Sequence, residues 1–280
     1  MAAEAQAAEA AGKLDILGHI QDKSYLDVPV LDAHHLIDGR LNLIELPPVQ
    51  IMGVTIDFSI TKHVVMMWLA AALVVGFMLR AFRRPSRVPR GMANLLEAMV
   101  VFVRDDIVYA TMGERGRPYL PYLLTVFFFI LTCNLLGLIP YAATATGNIS
   151  VTAALAFCTF VVILIAGIAN NGLFGYLRSL VPHGVPAWLL PIMIPVEVLG
   201  VFARPFALCI RLFANMMAGH VVILALLGMI FLFGTLGVAP VSVAFAAAIY
   251  LLEIFVALVQ AFIFTLLSSL FIGMAAHPEH

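Results

Sequence analysis

The chain has 280 residues, of which 63% are hydrophobic and 11% charged, and its formal net charge is −1. Water-soluble domains are about half apolar and about one quarter charged, so this composition leaves too little polar surface for a soluble fold and predicts an integral membrane protein. The near-neutral balance gives no general attraction to nucleic acid. The three cysteines, Cys133, Cys158 and Cys209, stand singly in apolar runs, with no CxxC and no disulfide framework.

The start, MAAEAQAAEAAGK, has neither a basic n-region nor an apolar h-region. No signal peptide is expected, and the first membrane segment serves as its own insertion signal. Residues 1–60 are polar with short apolar patches and read as a peripheral segment, periplasmic in a bacterial cell; residues 61–280 form the membrane domain. Asp32, His34, His35 and Asp38 are ligand types, but no further ligands follow at metal-site spacing, so they read as a solvated loop.

The first span is expected from Val64 to Leu79, extending toward His63 and Phe82, near the roughly 17–25 residues that cross about 30 Å of hydrocarbon. RAFRRPSRVPR follows, with Arg80, Arg83, Arg84, Arg87 and Arg90 and no acid among them. The positive-inside rule makes this loop cytoplasmic and puts the N-terminus on the opposite face. Residues 91–113 carry Met92, Leu95, Leu96, Met99, Val103 and Ile107 at helical spacing, interrupted by Glu97, Arg104, Asp105 and Asp106. That is the pattern of an amphipathic helix at the interface or against a partner. GERGRP, residues 113–118, ends it.

The second span is expected from Tyr119 to Pro140 and contains Asn134, whose amide needs a partner. YAATATGN, closing on Asn148, is an uncharged outer turn, and the third span runs from Ile149 to Leu177 before Arg178. As helices, the apolar blocks Pro186–Phe233 and Pro240–Ala275 would be about 70 Å and about 54 Å long. Both exceed a perpendicular crossing. They are expected to be tilted or bent, the first at Pro205, and to form a hairpin across GTLGVAP. The expected fold class is an all-α polytopic membrane protein. It has about five transmembrane helices and one interfacial helix, with the N-terminus outside and the C-terminus inside.

An arginine at the bilayer centre costs about 2.5–3.5 kcal/mol on insertion scales, and such residues face the protein interior or an ion path. The hairpin of residues 186–275 nevertheless contains Glu197, Arg204, Arg211, Asn215, His220, Glu253 and Gln260. Glu197, Arg204 and Arg211 are seven apart, a spacing that returns to within about 20° of the same helix side, and Asn215 lies one turn further on. Glu253 and Gln260 share a face, and an antiparallel hairpin brings Glu253 toward His220. Arg211 lies about 21 Å along a straight helix from Glu197, too far for a pair. Arg204, preceding Pro205, either satisfies carbonyls freed by a kink, snorkels, or serves function. His220 and Glu253 read as a buried structural pair or a protonatable relay. Asn215 and Gln260 read as helix–helix glue or as lining of the path.

RPFALCIRLFANMMAGH and LEIFVALVQAFIFTLLSSL, with NLLGLIP and IPVEVLGVFARP, resemble subunit a of the rotary F-type ATP synthase over roughly residues 60–275. The resemblance implies a membrane stator facing a ring of c subunits, with b-type peripheral-stalk subunits and the rest of the FoF1 complex as partners. It implies no cofactor or metal and no catalysis by the chain alone. Arg211 takes the position of the family's essential arginine. Glu197, Asn215, His220, Glu253 and Gln260 match residues lining the ion path, and Asn134, Asn148 and Arg204 join them as further candidates. Many bacterial members have the acid and the histidine exchanged relative to His220 and Glu253; this order is that of mitochondrial and alphaproteobacterial forms. A proton-coupled secondary transporter is the competing class, but no internal repeat relates the two halves. Neither HExxH nor GxSxG is present to indicate an intramembrane enzyme.

Overall fold

The computed structural model describes residues 25–32, 35–42, 49–51, 54–56, 59, 61–83, 91–139, 144–179, 189–233 and 239–276. The tail at 1–24, His34, Arg84, Arg87, Arg90, Pro140 and the turn at 234–238 lie outside them. Two antiparallel hairpins come first: β1 (Tyr25–Asp32) with β2 (His35–Asn42), and β3 (Val49–Ile51) with β4 (Val54–Ile56). In the first, Asp32 is opposite His35 and Pro29 opposite Asp38. The expected solvated loop around these residues is corrected to paired strands. Pro29, without an N–H to give, is tolerated because a two-stranded sheet has only edges.

From residue 62 the described chain is helical. It comprises α1 (Lys62–Phe82), α2 (Met92–Phe102), α3 (Leu120–Gly137), α4 (Ile149–Ser179), α5 (Leu190–Phe233) and α6 (Ala239–Ala276). Past Phe102 the helix widens into a π-helical stretch, Val103–Tyr109, closes in Ala110–Met112, and passes through a 3₁₀ segment, Gly113–Tyr119, into α3. Five helical stretches are long and apolar enough to cross a membrane. Their surface is inverted relative to a soluble protein. Phe157, Phe174, Phe206 and Leu251 are exposed, while Asn134, Thr146 and Gln260 are buried. Lipid is as apolar as leucine, so burial here is driven by packing and polar satisfaction rather than by escape from water.

The chain divides into two compact units. One comprises Met1–Ala72, Thr132–Asn148 and Phe213–Leu258; the other comprises Leu73–Leu131, Ile149–Leu212 and Val259–His280. In the first, the 3₁₀ turn Ala145–Gly147 is buried along its whole length. In the second, Val103, Ile107 and Val108 of the π-helical stretch pack with Leu123, Ile130, Leu208, Leu212, Phe264 and Ile272. The wider turn points Val103, Ile107 and Val108 inward together and leaves Asp105 and Asp106 exposed. Arg104 is joined to Asp105 by two hydrogen bonds of 2.7 and 2.8 Å.

One departure from expectation has a local cause. The third span is broken at Gly172, with φ 70° and ψ 165°, a conformation reserved to glycine. Tyr176 then lies against Gly167, where a Cβ would stand 2.5 Å from the ring. As expected, α5 remains one helix of 44 residues, about 66 Å long, although it carries Pro195 and Pro205. In membrane helices the backbone groups freed by proline are satisfied by neighbouring side chains and small local adjustments.

Candidate functional site

In the first unit, α5 supplies His220 and α6 supplies Glu253, from antiparallel segments. His220 Nδ1 is 2.8 Å from Glu253 Oε1. Glu253 is 4% exposed, a carboxylate almost removed from its surroundings. Among the described residues neither of its oxygens accepts an aligned hydrogen bond, so the imidazole contact is electrostatic rather than in-line. Glycine makes this approach possible. A Cβ on Gly219 would lie 2.6 Å from Glu253 Oε1 and 2.9 Å from its Cδ. The far side of the imidazole is also engaged, with Nε2 in hydrogen-bond contact with Thr144 Oγ1.

Asn134 sits in the same unit, with both ends of its amide hydrogen-bonded. Its Oδ1 accepts from Thr146 Oγ1 at 2.7 Å, and its Nδ2 donates to the Ala257 carbonyl at 3.4 Å. The amide thus ties the buried turn between α3 and α4 to α6. Asn148 N–H donates to the Ala145 carbonyl at 3.2 Å, which closes that turn. Tyr250 O–H donates to the Leu138 carbonyl at 2.9 Å. Asn215 is exposed, with no side-chain hydrogen bond to another described residue.

In the second unit, Arg204 Nη2 is 3.3 Å from Glu197 Oε1, with side chains 31% and 37% exposed. The Arg204 guanidinium also lies over the Phe271 ring, 5.6 Å from its centre. Gln260 is buried and donates from Nε2 to the backbone carbonyl of Arg211 at 3.0 Å. Arg211 itself is exposed, and no ion pair joins it to a described acid. Sequence spacing therefore put Glu197 and Arg204 on one side correctly. It did not identify their pairing, which adds to the readings that the sequence left open for Arg204.

Thr144, Thr146, Gly219 and Phe271 belong to these clusters and were missed. A periodicity signal exists for Phe271 alone, on a helix face. Thr144 meets its partner across 76 positions of sequence, from a turn without a repeat. Among the described residues no group of three or more His, Cys, Asp or Glu side chains is arranged to hold a metal.

The profile of the family described as ATP synthase A chain matches residues 64–273. ATP synthase subunit a of Chloroherpeton thalassium is 51% identical over 268 residues, covering 91% of this chain and 79% of the relative. The subunit a of Myxococcus xanthus is 57% identical over 234 residues, covering 82% and 77%. That of Anaeromyxobacter dehalogenans is 58% identical over 222 residues, covering 78% and 58%. A family match across the helices that carry both clusters, together with identities of this size, places this multi-pass membrane chain in the ATP synthase A chain family.

Proposed function

We propose that this chain is the stator subunit a of a rotary F-type ATP synthase, passing protons to and from carboxylates on a neighbouring c-subunit ring. The observation that carries the reading is Arg211, an exposed guanidinium on an apolar helix with no ion pair to a described acid. An arginine does not deprotonate in practice. On a lipid-facing wall it costs free energy unless a negative partner comes to it. A passing rotor carboxylate is such a partner. Opposite Arg211 the carboxylate is favoured in its ionised form, and away from it, in lipid, it must be neutral. Arg211 thereby discharges each rotor site and blocks protons from moving straight across.

Two offset half-channels follow from that separation. His220, Glu253 and Gln260 serve the outer one, loading the rotor; Glu197, held by Arg204, serves the inner one. Asn215 lines the path on α5, while Asn134 and Asn148 support the outer turn. The driving electrical energy is about 2.3 kcal/mol per charge per 100 mV. The chain works with the c ring, b-type peripheral-stalk subunits and the rest of the complex, and contributes ion translocation rather than catalysis. Its place is the bacterial inner membrane, with the N-terminus periplasmic, the C-terminus cytoplasmic, and residues 91–113 along the interface. Arg80 and Arg83 at the end of α1 support that orientation.

The test is Arg211→Ala in the whole complex, in inverted membrane vesicles. ATP-driven acidification should fall at least about 100-fold, as when a preorganised electrostatic partner is removed, while ATP hydrolysis continues. Acidification at the normal rate would overturn the reading.

A further inference from the structure

The outer turn between α3 and α4 brings a hydroxyl to the histidine of the outer cluster. Thr144 directly precedes the buried turn Ala145–Gly147 and is itself buried. Its Oγ1 is in hydrogen-bond contact with His220 Nε2, while Nδ1 of the same ring is 2.8 Å from Glu253 Oε1. Both ring nitrogens are therefore engaged, one by a hydroxyl and one by a carboxylate. The Thr144 hydroxyl also lies 3.3 Å from the Gly137 carbonyl, which it reaches as a donor. Gly137 provides the room: a Cβ there would stand 2.6 Å from Thr144 Cγ2 and 2.8 Å from its Cβ.

We propose that Thr144 is a positioning residue of the proton relay, whose hydroxyl fixes the His220 ring and selects which of its nitrogens carries the proton. The inference rests on the function proposed above. A threonine hydroxyl has one hydrogen to donate and lone pairs with which to accept. When it donates to Nε2, a neutral ring keeps its hydrogen on Nδ1, 2.8 Å from Glu253 Oε1, where a small turn of the ring brings it into line with the carboxylate. When it turns to donate to the Gly137 carbonyl, its oxygen accepts from Nε2–H instead. Nδ1 then has a free lone pair, and the proton of a Glu253 carboxylic acid passes to it. The products are an imidazolium and a carboxylate, so protons and charge balance. Rotation about one C–O bond thus lets the hydroxyl match either tautomer, while the ring changes tautomer through the imidazolium, one nitrogen gaining a proton before the other releases its own. A relay that passes protons repeatedly needs such a reset, because a histidine that has released its proton from one nitrogen must recover its starting tautomer.

The experiment measures ATP-driven proton pumping by the whole complex in inverted vesicles, per assembled subunit. Thr144→Val preserves shape and removes the hydroxyl; pumping should fall about tenfold or more, a positioning residue losing less than the ~100-fold or more that a positioned acid–base group itself contributes. Thr144→Ser restores the hydroxyl and should stay within about twofold of the unmodified complex. Thr144→Val pumping within twofold of the unmodified complex, or Thr144→Ser falling as far as Thr144→Val, would overturn the role. Should the valine variant not assemble, Thr144→Cys takes its place. Its thiol is a weak donor and acceptor and should give an intermediate rate, whereas full activity would count against the proposal. Arg211→Ala measured alongside separates the two readings. Pumping that survives Arg211→Ala removes the stator function itself. Pumping lost in Arg211→Ala but intact in Thr144→Val removes only the role of Thr144.

Discussion

The two units hold their ionisable residues in opposite ways. In the first, Glu253 is buried, its imidazole partner stands 2.8 Å away, and a hydroxyl closes the far side of the ring. In the second, Glu197 and Arg204 form a longer, half-open pair at 3.3 Å, and Arg211 is exposed with no ion pair to a described acid. A buried carboxylate without aligned donors is costly when charged, so its charge is tied to the imidazole beside it. That arrangement suits a group that holds one proton and passes it to a fixed neighbour. An exposed, permanent cation suits the opposite task of waiting for a mobile anion. Under the proposed function, the difference assigns each residue class its place: titratable pairs where the partner is built in, arginine where the partner would arrive.

The largest effect that tests this contrast, after loss of Arg211, is expected at Glu253. Glu253→Ala removes the relay acid and leaves His220 facing a cavity beside Gly219, so pumping should fall by about 100-fold, the lower range for a positioned acid–base group. Exchanging the pair, His220→Glu with Glu253→His, keeps one acid and one imidazole in contact and should recover part of what either single change loses. A double variant no better than the worse single one would show that the contact does not carry protons.

A smaller loss is expected at Gly219, and it isolates packing from chemistry. Gly219 lies within α5, so alanine costs nothing in backbone terms there and is the better helix former. The added methyl would meet the Glu253 carboxylate at 2.6 Å, and one of the two must move. Gly219→Ala should therefore lower pumping several-fold, about the cost of overpacking by one methyl, with assembly largely preserved. Unchanged pumping would mean that the carboxylate position is loosely set and that the first unit is less specialised than its burial implies.

Much of this architecture was legible from local pattern. Apolar run length predicted five helices long and apolar enough to cross a membrane, and seven-residue spacing put Glu197 and Arg204 on one side of α5. The antiparallel hairpin put Glu253 beside His220. What escaped the sequence were contacts whose partners share no period. Thr144 reaches His220 from a turn, and Thr146 reaches Asn134 from the same turn. The break in α4 was signalled by Asn170–Asn171–Gly172, since Asn and Gly favour helix ends, but an apolar run on both sides masked it. Asn171 there donates to the carbonyls of Ala275 and Ala276 at 3.1 and 3.4 Å, serving the end of a distant helix. The strands at 25–42 were hidden because neither YLDVPVLD nor HLIDGRLN alternates strictly and each contains strand-poor residues such as Pro29, Gly39 and Asp38.

The smallest effect sharpens the comparison from the other side. Arg204 touches both Glu197 and the face of Phe271, yet its side chain is 31% exposed and the ion-pair contact is long. Side-chain hydrogen bonds in membrane proteins average about 0.6 kcal/mol, so Arg204→Gln should reduce pumping only about threefold. Glutamine keeps a donor for Glu197 but forfeits the charge and the stacking. Glu197→Gln should fall by a similar factor. The double variant should be no worse than either single one, because both changes remove the same pair. Additive losses would mean that Glu197 and Arg204 act on protons separately. A loss as deep as that of Arg211→Ala would place the second essential cation at 204, and exposure without an ion pair would then no longer distinguish the arginine that meets the rotor from the one that braces its wall.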